Sequence, residues 1–405
     1  MAFVAVAHNA SPYFTLYDGD TWLKAADFSL KPGANPAGNA GCVAFSPNAG
    51  LLAVGHFNSP YLAVYNTATW ARVTLTGGNP TGTVKAISFS PDGSLLAVAH
   101  TTSPFLTVYN TSTWAKVTLT GGTPVGSGYG SGLCVAFSPN GSFLALGHSA
   151  NAPWIEVYNT SDWSKVTFTS GMTFYVNSVA WTTTSSHLIA TSDDKNTFTV
   201  YDVATWGYVE QPSGGYNWSL KKATATPDGG RLLFINGGSN NEPELFDLST
   251  WTSISFNNAA PINCASFALS TDGSEAYFVN NAPPYFYTLN LSTLLFSSAP
   301  YETVATSGEA FGIAVPASTE LAARYLKTTA SDPVRGPDGN AIAGVTVRPH
   351  RRSDGVIFSP AATTAADGSY SLGPYMIDHG EVQLVFMDPD AEPLYNDLIV
   401  RVIPA

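Results

Sequence analysis

A chain of 405 residues with 17 basic against 29 acidic side chains has a formal net charge of -12, so it offers no electrostatic grip on phosphate backbones or anionic lipid, and nucleic acid is not expected as a partner. Its composition is 44% hydrophobic and only 11% charged, with 36 Gly, 27 Pro, 22 Phe and 19 Tyr, the profile of many short strands joined by turns rather than of helices. The length exceeds one ordinary core, so two domains or one large repeat array are expected.

The N-terminal run MAFVAVAHNASPYF lacks a basic region and is too briefly apolar for a secretory signal, and no stretch approaches the roughly 18 apolar residues of a membrane span. The expectation is synthesis in a cytoplasm without the usual export, which argues against reading the N-x-S/T triplets at Asn110, Asn159 and Asn217 as glycosylation sites. The same N-terminal run also opens a repeat. Units aligned on FVAVAH start at Phe3, Leu51, Leu95, Phe143, His187, Arg231 and Glu275, spaced 48, 44, 48, 44, 44 and 44 residues. A second landmark agrees, because Trp22, Trp70, Trp114, Trp163, Trp206 and Trp251 close a YNTxTW-like motif, with Leu294 in the last unit.

Each unit reads as four strands. A first strand such as AISFSP precedes the turn Ser90 to Gly93, where Pro fixes one dihedral and Gly accepts a positive φ. SLLAVAH is the second strand, a variable Pro-bearing loop follows, then come the third strand FLTVYN, the turn TSTW and a fourth strand AKVTLT. Near-continuous apolar runs in the inner strands imply that both faces are covered. A unit of about 44 residues cannot do this alone, so copies must pack around an axis as the blades of a β-propeller. The expected fold is all-β, a seven-bladed propeller over 1–316, a linker over 317–332 and a C-terminal β-sandwich over 333–405. The chain begins at a second strand, Phe3 to His8, and the array ends on a lone first strand, Ala310 to Val315, so these two should pair and shut the ring without a free edge.

The motif FSPDGSLLAVAHTTSPFLTVYN, residues 89 to 110, resembles the WD-repeat-like propellers of bacteriophage and prophage tail-associated proteins. The likeness is strongest in the first four units and decays in the last three, and the Trp-Asp pair that ends true WD repeats is missing. Beyond Pro316, ASTELAARYLKTTASDPVR suits a helical or extended linker. Strands at Val345 to His350, Ser369 to Gly373 and Val382 to Met387, separated by D-G turns, describe a small antiparallel sandwich. It resembles the carboxypeptidase-regulatory-like, transthyretin-like fold, and the terminal run Val385 to Ala405 is similar to the end of phage virion proteins.

Candidate chemistry is sparse. His8, His56, His100 and His148 share one position at the end of the second strand, but equivalent residues of adjacent blades stand too far apart to ligate one metal, so each is read as pinning its loop by a side-chain hydrogen bond to backbone. Asp193 and Asp194 read as a solvated loop rather than an acid/base pair or calcium site. The series Gly126 to Gly132 precedes a strand, not a helix, and so is no phosphate cradle. Cys42, Cys134 and Cys264 lie in apolar strands without metal or disulfide spacing and read as small buried hydrophobes. Arg348, His350, Arg351 and Arg352 form a basic cluster read as a solvated strand end. No catalytic, metal or cofactor site is assigned.

The loops divide by face. Repetitive turns occupy one, and the connections from second to third strand and from fourth strand to the next unit, which differ in every unit, occupy the other. This variable set holds Tyr129, Phe174, Tyr175, Tyr216, Trp218 and Tyr301, aromatic side chains suited to carbohydrate or protein recognition, or to covering the channel mouth. The resemblance implies a structural, non-enzymatic virion protein of a tailed phage, associated with tail, fibre or baseplate. Its propeller would face a host surface glycan or protein or neighbouring virion proteins, and its C-terminal module would attach it within a larger symmetric assembly. Alternatives are a capsid decoration or collar protein, a glycan-acting propeller enzyme, for which no converging carboxylates can be placed, and a bacterial scaffold propeller.

Overall fold

The computed structural model describes residues 3–8, 13–18, 38–125, 134–148, 152–169, 175–192, 198–209, 220–236, 240–250, 252–270, 273–280, 286–298 and 310–314, and further on 324–327, 346–351, 362–363, 371–375, 382–387 and 400–402. Every regular element among them is a β-strand, and no described helix is long and apolar enough to cross a membrane. The chain divides into two compact units, Ala2–Leu321 and Ala322–Ala405 with Met1.

The larger unit contains seven small antiparallel sheets among the described residues. Six follow the repeat in order, each pairing a first strand with a second and a second with a third, as in Val84–Phe89, Leu95–His100 and Leu106–Asn110. The remaining sheet joins distant segments. In it Phe3–His8 lies between Phe14–Asp18 and Ala310–Ala314, in the register Ala5↔Ala314, Val6↔Ile313 and Ala7↔Gly312.

The second strands show why the sheets stack. In Leu95–His100 every residue from Leu96 onward is buried, on both faces, so apolar neighbours must cover each side. Packing is matched residue by residue. Cys42 pairs with Gly55 and Cys134 with Gly147, whereas Ala86 pairs with Ala99, so a larger first-strand side chain meets a smaller second-strand one. Burial pushes the Cys42 and Cys134 thiols up to about 12, and all three cysteines are unbridged.

First strands contact one another in succession: Ala310–Ala314 against Ala40–Phe45, then Val84–Phe89, Cys134–Phe137, Ser178–Trp181 and Leu220–Ala225, while Cys264–Leu269 also touches Ala310–Ala314. Hydrogen bonds lace them. The Phe137 N–H donates to Ser88 Oγ (3.2 Å), Trp181 Nε1 to the Ala136 carbonyl (3.1 Å) and the Ala223 N–H to Ser178 Oγ (3.1 Å).

The fourth strand departs from expectation. It is present as Gly207–Val209, Thr252–Ile254 and Leu295–Ser298, but the second to fourth units show only single bridges, Tyr65↔Arg72, Tyr109↔Lys116 and Tyr158↔Lys165. There the outer segment leaves its own sheet to bond the next unit, Gly77 N–H to the Trp114 carbonyl (2.9 Å) and Gly121 N–H to that of Trp163 (2.8 Å). A Cβ at these glycines would lie 2.7 Å from Lys116 N and 2.6 Å from Lys165 N, so only glycine permits the approach.

Turn chemistry follows the sequence. Gly93 takes φ 73° and its N–H reaches the Ser90 carbonyl at 2.8 Å. The hydroxyl of Ser90, then the N–H and hydroxyl of Ser94, hold the Asp92 carboxyl below its usual range. Asn110 Oδ1 accepts from the Ser112 and Thr113 N–H groups at 3.0 Å each, and Asn159 Oδ1 accepts from Ser161, so these two N-x-S/T triplets serve as turns. Asn217 lies outside the described residues. Trp70, Trp114, Trp163 and Trp206 end the same turn at φ 55°, 57°, 60° and 53°.

In the smaller unit, Thr346–Arg351 lies between Ala362–Thr363 and Val382–Met387, which also pairs with Val400–Val402. Arg324–Lys327, within the stretch expected to be a linker, is a strand paired with Ser371–Tyr375. Arg348, His350 and Arg351 fall on Thr346–Arg351, and Arg352 lies outside the described residues.

A Cβ at Gly147 would lie 2.3 Å from Val176 Cγ1 and 2.6 Å from Cys134 Sγ. Gly147→Ala should therefore destabilise the fold by about 1–3 kcal/mol in urea unfolding, and Cys134→Ala in the same chain should recover part of the loss.

Candidate functional site

The variable connections leave the ends of the second strands, where four histidines occupy one position. His8, His56, His100 and His148 are all buried, at 1% exposure or less. Each closes its loop through its main-chain N–H, which donates to the carbonyls of Tyr13, Tyr61, Phe105 and Trp154 at 2.9, 2.7, 2.8 and 3.0 Å. The side-chain contacts vary with the third-strand residue that stands opposite the position two before each histidine, Thr15 opposite Val6, Ala63 opposite Val54 and Thr107 opposite Val98. Thr15 and Thr107 draw His8 Nε2 and His100 Nε2 to their hydroxyls at 2.9 Å. Ala63 offers no partner, and His56 Nδ1 bonds the Gly38 carbonyl at 2.9 Å. His56 thus makes the expected side-chain bond to backbone, and the backbone at Thr102 and Pro153 acts on the imidazoles of His100 and His148. Glu156 takes the position in the fourth unit and stands 4.0 Å from His148 Nε2.

Desolvation pushes the imidazoles of His56 and His148 below their ordinary value and that of His100 down to about 4. These rings are neutral at pH 7. Among the described residues no group of three or more His, Cys, Asp or Glu is placed to hold a metal ion.

The fourth unit gathers the most chemistry on this face. Glu156 is buried at 4% exposure, and its Oε1 accepts the Val125 N–H at 2.8 Å. Its Oε2 accepts the Tyr158 hydroxyl at 3.2 Å and lies 3.0 Å from Lys165 Nζ, which also donates to the Thr123 carbonyl at 2.9 Å. One buried carboxylate therefore ties the incoming connection to the third strand. Beside it Trp154 and Tyr175 meet edge to face, centroids 5.0 Å apart and planes at 87°. The main chain of His148 anchors both sides of this pair. Its N–H bonds the Trp154 carbonyl, and its carbonyl accepts the Val176 N–H at 3.3 Å. Tyr175 remains 42% exposed, and Val125 at 51% and Ile262 at 50% are exposed apolar side chains of the same class of connection.

Of the aromatics singled out in the sequence, Tyr175 is placed on this surface, whereas Tyr129, Phe174, Tyr216, Trp218 and Tyr301 lie outside the described residues, as do Asp193, Asp194 and Gly126 to Gly132. Trp154, Glu156 and Lys165 were not singled out. Glu156 was detectable, because it stands where the preceding units carry Thr, Ala and Thr.

No protein-family model matches the chain, and no curated protein does. Among solved structures, a hydrazine synthase of Kuenenia stuttgartiensis is similar with a TM-score of 0.51 at 17% identity, covering 66% of this chain and 79% of the other. That likeness shows the fold, all-β and propeller-like, and 1631 matching chains mean that the fold does not single out a function. It also corrects the expectation that the chain is not an enzyme. A synthase is built on a similar fold, so non-enzymatic status cannot be inferred from this architecture.

His100 supplies a pH test. Its folded pKa lies below the unfolded one, so the unfolded chain binds more protons and stability is lost as pH falls from about 6.5 toward about 4. Urea unfolding across that interval should show a loss of up to about 3 kcal/mol from this residue, and His100→Gln should flatten that part of the slope.

Proposed function

We propose that the seven sheets are the blades of one closed propeller and that its variable face is the recognition surface of a virion protein of a tailed bacteriophage, associated with tail, fibre or baseplate. The pairing of Phe3–His8 with Ala310–Ala314 supports closure, since it puts the two ends of the repeat array in one sheet. The phage reading is supported by the motif Phe89 to Asn110 and by the terminal run Val385 to Ala405. The observation that carries recognition is the edge-to-face Trp154–Tyr175 pair, whose Tyr175 ring is exposed. Such an edge stacks on the apolar face of a sugar or on a protein side chain at little entropic cost. The C-terminal unit then attaches the propeller to neighbouring virion proteins in a symmetric particle.

Three results test this reading. Cysteines placed at Val6 and Ile313, register partners, should form a disulfide under mild oxidation, and failure to bridge counts against closure. Particles assembled with a chain lacking 320–405 should carry none of it while the propeller alone stays folded by circular dichroism; packaging of the truncated chain reverses the division of roles. Trp154→Ala and Tyr175→Ala should each weaken adsorption to host cells by about tenfold, the equivalent of about 1.4 kcal/mol, and unchanged adsorption removes the face from recognition.

A further inference from the structure

One position of the first strands is filled by small residues in six sheets: Gly312, Cys42, Ala86, Cys134, Ser178 and Ser266, partners of Ala7, Gly55, Ala99, Gly147, Thr191 and Val279. In the sixth unit the same position, opposite Ile235, is Lys222. Its ammonium donates to Ser266 Oγ at 2.8 Å and to the Phe267 carbonyl at 2.6 Å, and stands 5.2 Å from the centre of the Phe267 ring. All these partners are neutral. Among the described residues Lys222 has no carboxylate within ion-pair distance, and the charged group's field is felt instead by the Cys42 thiol of the second unit, which also feels Lys85.

The surrounding sequence deepens the imbalance. The seven first strands, AGCVAF, VKAISF, CVAF, SVAW, LKKATA, CASFAL and AFGIA, contain three lysines and no carboxylate in a protein of net charge -12. Lys85 and Lys221 are exposed, and Lys221 Nζ donates to the Asn241 side-chain oxygen at 2.7 Å. Lys222 is half-buried, and desolvation lowers its pKa to about 8, so the amine still carries its proton at pH 7. Charges drawn out of water are paired or they are costly, and among the described residues this half-buried ammonium has hydrogen bonds but no counter-charge. Ser266, whose oxygen accepts from Lys222, keeps its hydroxyl proton to give.

We propose that the space bounded by the first strands binds a small oxyanion on Lys222, with the Ser266 hydroxyl as a second donor and Lys85 and Lys221 attracting the anion. The group is a phosphate or a carboxylate, either of which matches an ammonium and a hydroxyl. The site rests on the closed ring proposed above and is independent of the aromatic edge and of the phage assignment.

The test uses the full-length chain. Thermal unfolding is followed against inorganic phosphate and, separately, sodium glucuronate, with sodium chloride holding ionic strength constant. A saturable rise in Tm with at least one of them is expected, lost in Lys222→Met and kept at weaker affinity in Lys222→Arg. Phosphate acting alone identifies a free phosphate-type ligand, and glucuronate acting alone an acidic sugar. Carbon NMR of lysine labelled at Cε supplies a readout that does not depend on the variants folding, since the bound anion should raise the titration midpoint of the Lys222 resonance. No saturable response to either anion, or an equal response in Lys222→Met, overturns the site. If the Val6–Ile313 cysteine bridge forms and neither anion acts, the ring stands and only the anion site falls; if the bridge does not form, the arrangement on which the site rests falls too.

Discussion

The double-sided burial of the second strands is the constraint from which the rest of the larger unit follows. A strand such as Leu95–His100, apolar toward both faces, gains nothing from a lone sheet, because one face would remain in water. Stacking sheet on sheet is the economical solution, and it moves the problem to the two terminal sheets of the stack. The ladder between Phe3–His8 and Ala310–Ala314 draws one sheet from both ends of the array. Side-chain volume then has to match within and between sheets: a Cβ at Gly55 would meet Cys42 Sγ and Val84 Cγ1, and one at Gly147 would meet Cys134 Sγ and Val176 Cγ1.

The same stacking separates structural from variable chemistry. At the rim, outer segments abandon their own sheets to bond the next unit, so Gly77 and Gly121 become fixed by the backbone they approach. At the variable face, the main chain of each histidine closes its loop regardless of loop sequence, and the side chain adapts to whatever lies opposite. The fourth unit uses that tolerance, placing Glu156 where Thr or Ala stands in the preceding units and tying Lys165, Tyr158 and the incoming connection to it. The main chain of His148 bonds Trp154 and Val176, the neighbour of Tyr175, and the two rings meet edge to face.

Charge is distributed with a similar division. The protein is acidic as a whole, yet its first strands carry only cations among their charged residues. Lys222 is the extreme case, a half-buried ammonium with neutral partners. The likeness to a synthase adds that such an architecture is compatible with catalysis elsewhere, without carrying any particular chemistry to this chain.

The all-β class, the turn type and the roles of Gly93 and the turn-ending tryptophans were legible in the sequence, because each depends on residues within a few positions of one another and recurs along the array. The pairing of the array's ends was legible too, since a lone second strand and a lone first strand complete each other. Which way a histidine ring turns, where Lys222 ends, and how Trp154 meets Tyr175 were not, because those outcomes depend on residues brought together from separate strands and units. Local pattern specifies the strand and its faces. Only the packed arrangement decides what each face meets, and therefore where a buried charge or an exposed ring is left for something else to find.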